Sequence, residues 1–192
     1  MNTKNDLPIV HFKSPKEWEA WLKKNHDTSA GLWVKIAKKD SAIKSVSYPE
    51  ALDVALCYGW IDGQKAPFDG DYWLQRFTRR GSKSKWSKIN CQKATDLIAQ
   101  GKMKAPGLKQ VDAAKQDGRW DAAYESHRTI TVPDDLQQKL DENPRAREFF
   151  ATLKGSNRYA ILYRIHDAKK PETRAKRIEK FVAMLNERKT IH

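Results

Sequence analysis

The sequence predicts an α+β protein: a small mixed or antiparallel sheet with helices mainly on one face, followed by a C-terminal all-helical unit. Three observations lead there. Strand-like runs such as LWVKIA and YWLQRF occur only before residue 80. Helix-start signals alternate with them: Ser14-Pro15-Lys16-Glu17 and Ser47-Tyr48-Pro49-Glu50 both have the form of a capping box with proline in the first turn. Beyond residue 134 only helical spacing of apolar residues remains.

Taken in order, Ile9–Phe12 reads as a short strand. Trp18, Trp21 and Leu22 then mark one face of a helix that ends near Asn25. Leu32–Ala37 reads as a strand with Leu32, Val34 and Ile36 on one face and Trp33 and Lys35 on the other. A polar loop over 38–46 leads to a second helix, carrying Ala51, Leu52, Ala55 and Leu56, which Gly59 stops. Trp60-Ile61 opens an extended segment that Asp62-Gly63 punctuates as a turn. After the turn Phe68–Asp71, residues Tyr72–Phe77 form a strand. A helix is predicted from Ser84 to Gln100 with Trp86, Ile89, Ala94, Leu97 and Ile98 inward. Another runs from about Gly107 to Gly118 with Leu108, Val111 and Ala114 inward.

The domain organisation expected is an α+β domain over 1–125, a linker over 126–133 and a helical domain over 134–192. In the last, Ile178, Phe181, Val182 and Leu185 fall at i, i+3, i+4 and i+7, with Arg174, Arg177 and Lys180 along a solvated flank.

The chain has 192 residues, enough to bury a core, and its seven Trp, six Tyr and six Phe oppose disorder. Its apolar runs are only a few residues long, so no transmembrane helix is expected. The start MNTKNDLPIV lacks the apolar stretch of a signal peptide, which points to a cytoplasmic protein. Cys57 and Cys91 read as small core residues. No HExxH, paired CxxC or EF-hand loop supports a metal site, and no Walker A loop, GxGxxG or GxSxG supports a cofactor or a nucleophile elbow. Neither a cofactor nor a catalytic residue is therefore assigned.

Charge is the informative quantity. The net charge is +13, yet Arg76–Arg119 alone holds twelve Lys/Arg against three Asp, a local +9. Within it, RFTRRGSKSKWSKIN leads from a strand through a Gly/Ser/Lys turn into the predicted helix start. Unpaired N–H groups and the positive end of a helix favour anions. The ligand-binding residues predicted at this corner are Arg79, Arg80, Lys83, Ser84, Lys85 and Ser87, with guanidinium forks suited to phosphate or carboxylate. The competing reading is that Ser84 caps a helix and the cations are solvated. The partner expected is an anionic small molecule or an acidic partner, with nucleic acid as an alternative. A further alternative is an enzyme using Asp62 beside aromatic residues.

The blocks YPEALDVALCYGWIDGQ, LQRFTRRGSKSKWSKIN and GLKQVDAAKQDGRW, with AREFFATLKGSNRYAILYRIHDAKKPETRAKRIEKFVAML, resemble the YdeI/OmpD-associated, bacteriocin-protection family of bacteria. The resemblance covers nearly the whole chain. It implies a small helical C-terminal domain and a role in bacteriocin protection or envelope stress, with no enzymatic activity, cofactor or catalytic residue. One departure stands out. The family usually has prolines where this chain has Arg79 and Ser82, so this loop should be more basic and more flexible.

Overall fold

The structure, a computed structural model, describes residues 3–192. The chain divides into two compact units. One takes in the chain up to Trp86 together with Asn90–Ala122; the other comprises Ser87–Ile89 with Ala123–His192.

The first unit is built on a five-stranded mixed sheet in the order β1-β2-β3-β5-β4. Its strands are β1 (Thr3–Lys4), β2 (Leu7–His11), β3 (Gly31–Ala37), β4 (Trp60–Pro67) and β5 (Tyr72–Arg79). Only β2 and β3 run parallel, joined through helix α1 (Pro15–Asn25). Helix α2 (Tyr48–Cys57) joins β3 to β4, and β4 and β5 form an antiparallel hairpin. The Asp69 carboxylate tightens that hairpin by accepting from the backbone N–H groups of Asp71 and Tyr72, at 2.9 and 2.8 Å.

Both early helices start where the sequence says. The Ser14 hydroxyl accepts from Glu17 N at 3.4 Å. The Glu50 carboxylate accepts from Ser47 N and Oγ, at 2.9 and 2.7 Å, which holds its pKa below the usual range. Helix α1 lays Trp18 on Phe77 and Trp60, and its indole N–H donates to Ala51 O of α2 at 3.0 Å. Register places Leu32, Val34 and Ile36 opposite Phe77, Gln75 and Trp73, on the face these helices cover. Trp33, Leu74 and Ala66 bury a smaller cluster on the other face.

Asp62-Gly63 is not a turn. Both residues lie inside β4, where the pairing shifts between Asp62 and Lys65. The extra residue is a β-bulge. Gln75, fully buried, fills its hollow: Nε2 donates to Gly63 O at 2.9 Å and Gln64 O at 3.3 Å. A glycine dipeptide signals a bend, and here the bend is absorbed within the ladder rather than ending it.

Helix α3 (Lys88–Ala99) begins four residues later than predicted. Trp86 is the reason. It is buried against Trp120, with ring centroids 5.0 Å apart, and Ser84-Lys85 stay outside any helix to bring it there. Ile89 and Ile98 of α3 and Leu108 of α4 (Ala105–Gln116) are exposed, not inward as the spacing predicted.

The second unit is helical: α5 (Asp134–Asp141), α6 (Pro144–Thr152), α7 (Gly155–His166) and α8 (Pro171–Asn186). Its core joins Leu136, Leu140, Phe150, Ile161, Leu162 and Ile165 to Ile178, Phe181, Val182 and Leu185 of α8. Ile130 and Val132 pack against the same core. The α8 flank is not merely solvated. Arg174 grips the Asp135 carboxylate at 2.5 and 2.8 Å and donates to Ile165 O at 3.0 Å, while Arg177 donates to Arg164 O. Both arginines thus supply donors to carbonyls in the last turn of α7.

Candidate functional site

The end of β5 is fixed by its partners. Arg79 pairs with Trp60, and Arg80 N donates to Gly59 O at 3.1 Å. Gly59 itself has φ of +72°, and an added Cβ would sit 2.7 Å from Pro106 O. Gly107 is tighter still: a Cβ there would meet Cys57 O at 2.4 Å. These two glycines let the first turn of α4 settle on the end of α2.

A cleft of about 380 Å³ opens beside that junction. Arg79 and Arg80 line it from the strand end, His26 and Asp27 from the end of α1, and Lys109 and Gln110 from α4; Tyr58 and Gly59 complete it with Pro106. Arg79 is exposed and donates from Nη1 to Asp27 O at 2.5 Å. Arg80 is only 5% exposed. Its guanidinium carbon lies 3.6 Å from the Trp86 ring centroid, and Nη1 donates to Lys85 O at 3.1 Å. A guanidinium stacked on an indole keeps its charge and loses its freedom to swing. Burial is the first cause raising the pKa of the Tyr58 hydroxyl, with the Glu19 carboxylate second, so this group is a neutral donor at physiological pH.

Of the six residues predicted at the corner, Arg79 and Arg80 line this cleft and the other four do not. Lys83 and Lys85 are exposed. Ser84 closes a turn: Oγ accepts from Gly81 N at 2.9 Å, and its carbonyl accepts from Arg119 at 3.0 Å. It caps no helix, because the helix starts at Lys88. Ser87 is buried and clusters with the second unit, where it bridges to Tyr124. His26, Tyr58, Lys109 and Gln110 were not foreseen. They come from three stretches far apart in sequence, so no local pattern announces them.

Asp62 lines neither this cleft nor the other two cavities described here. Its carboxylate accepts from the Tyr48 hydroxyl at 2.8 Å. The largest of the three, about 520 Å³, lies among α1, α2 and α3. There Glu19, Glu50, Asp53 and Asp96 face Lys93, Lys102 and Lys104. Lys93 pairs with Asp53 at 2.6 Å and Lys104 with Glu19 at 3.3 Å, so much of its charge is matched internally. The Cys57 thiol on its wall is pushed up to about 11 by burial, which keeps it protonated and a poor nucleophile at neutral pH. The smaller, more cationic cleft is therefore the better candidate for a charged ligand.

Among the described residues no cluster of three or more His, Cys, Asp or Glu could hold a metal ion, and no helix is long and apolar enough to cross a membrane.

A family model described as a domain of unknown function, DUF8412, matches residues 10–110, more than half of the chain. A second, described as bacteriocin-protection, YdeI or OmpD-associated, matches residues 129–188. No curated protein and no solved structure matches.

Proposed function

Because the chain belongs to the DUF8412 family through residues 10–110 and carries a bacteriocin-protection, YdeI or OmpD-associated domain at 129–188, we propose that it is a cytoplasmic protection protein that works by holding an anionic small molecule in the Arg79–Arg80 cleft. One observation carries this reading. Three basic side chains, Arg79, Arg80 and Lys109, line a single cleft with one carboxylate, Asp27. Arg80 supplies a fixed positive charge in the wall: its guanidinium is buried on Trp86, so it attracts an anion through the field while Arg79 and Lys109 provide the exposed donors. Arg79 and Lys109 close from either side, and Gln110 supplies a neutral donor. Lys83 and Lys85, exposed nearby in sequence, add to the field that draws an anion in.

A thermal-shift series with phosphate, citrate and nucleotides tests it. A ligand that binds only the folded state raises Tm. The rise should appear with wild type and shrink in Arg79→Ala and in Lys109→Ala. Equal shifts in wild type and both variants would remove the cleft as the site.

Nucleic acid is a second reading, favoured by the +9 concentrated in Arg76–Arg119. Oligonucleotide binding that weakens steeply with salt would support it. Binding indifferent to salt would eliminate it.

A further inference from the structure

The second unit has a cavity of its own, about 420 Å³, beside the corner where α6 turns into α7. Its floor is apolar. Leu140, Phe150 and Leu153 are buried there, and Val132 packs at the edge. Arg147 and Arg158 line the same space, and no carboxylate does. Arg158 is held in place: its guanidinium carbon lies 4.4 Å from the Phe150 ring centroid, and Nη1 donates to Phe150 O at 3.5 Å. Arg147 is looser. It reaches Asp141 Oδ1 at 3.4 Å, an oxygen that already accepts from Gln137 Nε2 at 3.0 Å. Exposed pairs of that length contribute little, so another carboxylate can displace Asp141 at small cost.

We infer that this corner binds a carboxylate carried on a compact apolar group, either a free monocarboxylic acid or the exposed C-terminus of a chain ending in an apolar residue. Each half of the cavity selects one half of that ligand. The two guanidinium groups match a planar carboxylate through paired N–H donors. The Leu140, Phe150 and Leu153 floor takes the hydrocarbon, whose removal from water favours binding. An inorganic anion would leave the floor wet, and a neutral alcohol would leave the guanidinium groups unmatched. The volume is in the range of small-ligand sites.

Calorimetric titration of the full chain tests this, using 3-phenylpropanoate, 3-phenylpropanol, and a short Phe-terminated peptide with a free or an amidated end. The acid should bind, and the alcohol and the amide should bind at least about tenfold more weakly, since each has lost a charge-assisted hydrogen bond. Arg158→Gln should cost about tenfold. Arg147→Gln, at an exposed side chain, gives the same readout should Arg158→Gln fail to fold. Asp141→Asn should tighten binding, because the internal competitor is gone. Tighter binding of the free acid identifies a small molecule as the ligand, and tighter binding of the peptide identifies a protein terminus. Equal affinity for acid and alcohol, no binding of either carboxylate at millimolar concentration, or unchanged affinity in both arginine variants would overturn the inference. Arg79→Ala, in the other unit, should leave these affinities as they are, so the two sites fail separately.

Discussion

The two units bury their cores by different means. In the first, Trp18, Trp33 and Trp60 are fully buried, and each indole N–H is spent on a named backbone carbonyl: Ala51 O, Lys4 O and His26 O, at 2.9 to 3.0 Å. Trp86 is the exception, its Nε1 having no acceptor among the described residues. In the second unit the core is Leu, Ile, Val and Phe with hardly a polar atom. Burial contributes stability to both, about 1.5–3 kcal/mol for each large aliphatic side chain. Only the first unit adds direction. An indole that must reach one carbonyl fixes rotamer and register together, whereas aliphatic helix packing tolerates exchange of shape.

The contrast breaks most readily at the largest side chain. Trp18→Ala should cost about 3–5 kcal/mol in urea unfolding. Trp18→Phe is the sharper probe, because it keeps an aromatic ring and removes the indole hydrogen bond to Ala51 O, a loss of about 1 kcal/mol beyond the smaller ring. Leu162→Met, its counterpart in the second unit, should cost less than about 1.5 kcal/mol. If Trp18→Phe proves no costlier than Leu162→Met, direction in the first core is an illusion.

Next comes backbone contact. Gly107→Ala would drive a methyl to 2.4 Å from both Cys57 O and Met103 Sδ, and should cost about 1–3 kcal/mol. Gly70→Ala, with nothing within 4 Å of the new methyl, should stay within about 0.5 kcal/mol of wild type. Matching melting curves for the two variants would contradict the tight seat of α4 on α2.

Acid titration compares the units more gently. The Glu50 carboxyl is held low first by the backbone N–H of Ser47 and then by its hydroxyl. Asp135 is held low first by its hydrogen bond to Arg174. A carboxyl with a depressed folded pKa contributes stability above its unfolded pKa and loses it as pH falls through the folded value. Both contributions should therefore be intact at neutral pH and disappear on the acid side of the ordinary carboxylate range. Carboxyl NMR should show Arg174→Ala returning Asp135 towards its ordinary value while Glu50 stays put. The stability change should be small, below about 1 kcal/mol, because the pair is partly exposed.

The smallest effects are spectroscopic. Tyr159 is pushed up to about 12, first by burial, so its phenolate should be among the last to appear in an ultraviolet titration. Cys57, at about 11, should resist thiol reagents at pH 8 until the chain unfolds.

Helix α8 could be read directly from the sequence, because its four core residues follow helical periodicity and all four are buried. The two early helix starts were equally plain, since a capping box is a local interaction. What failed depended on distant partners. Nothing within SKSKW says that Trp86 must lie beneath Arg80 and against Trp120, which is what delays α3. Nothing in Arg174 or Arg177 says that α5 and α7 bring them a carboxylate and carbonyls. The cleft was half visible: its two strand-end arginines stood out as a local cluster, while Lys109 and His26 arrive only through the packing of α4 and α1.

The bulge in β4 bears on how this chain tolerates changes of length. Strict alternation along WIDGQKAP would aim Asp62 and Ala66 the same way. Instead Asp62 sits opposite Phe77 and Ala66 opposite Leu74, so one strand serves both layers. Losing Gln64 would straighten the ladder and keep both pairings, whereas losing one residue from the middle of β3, which has no such slack, would turn half of that strand inside out. Deletion of the Gln64 codon should therefore keep the fold, though it removes an acceptor of the buried Gln75 amide, whereas a single-codon deletion in mid-β3 should destroy it.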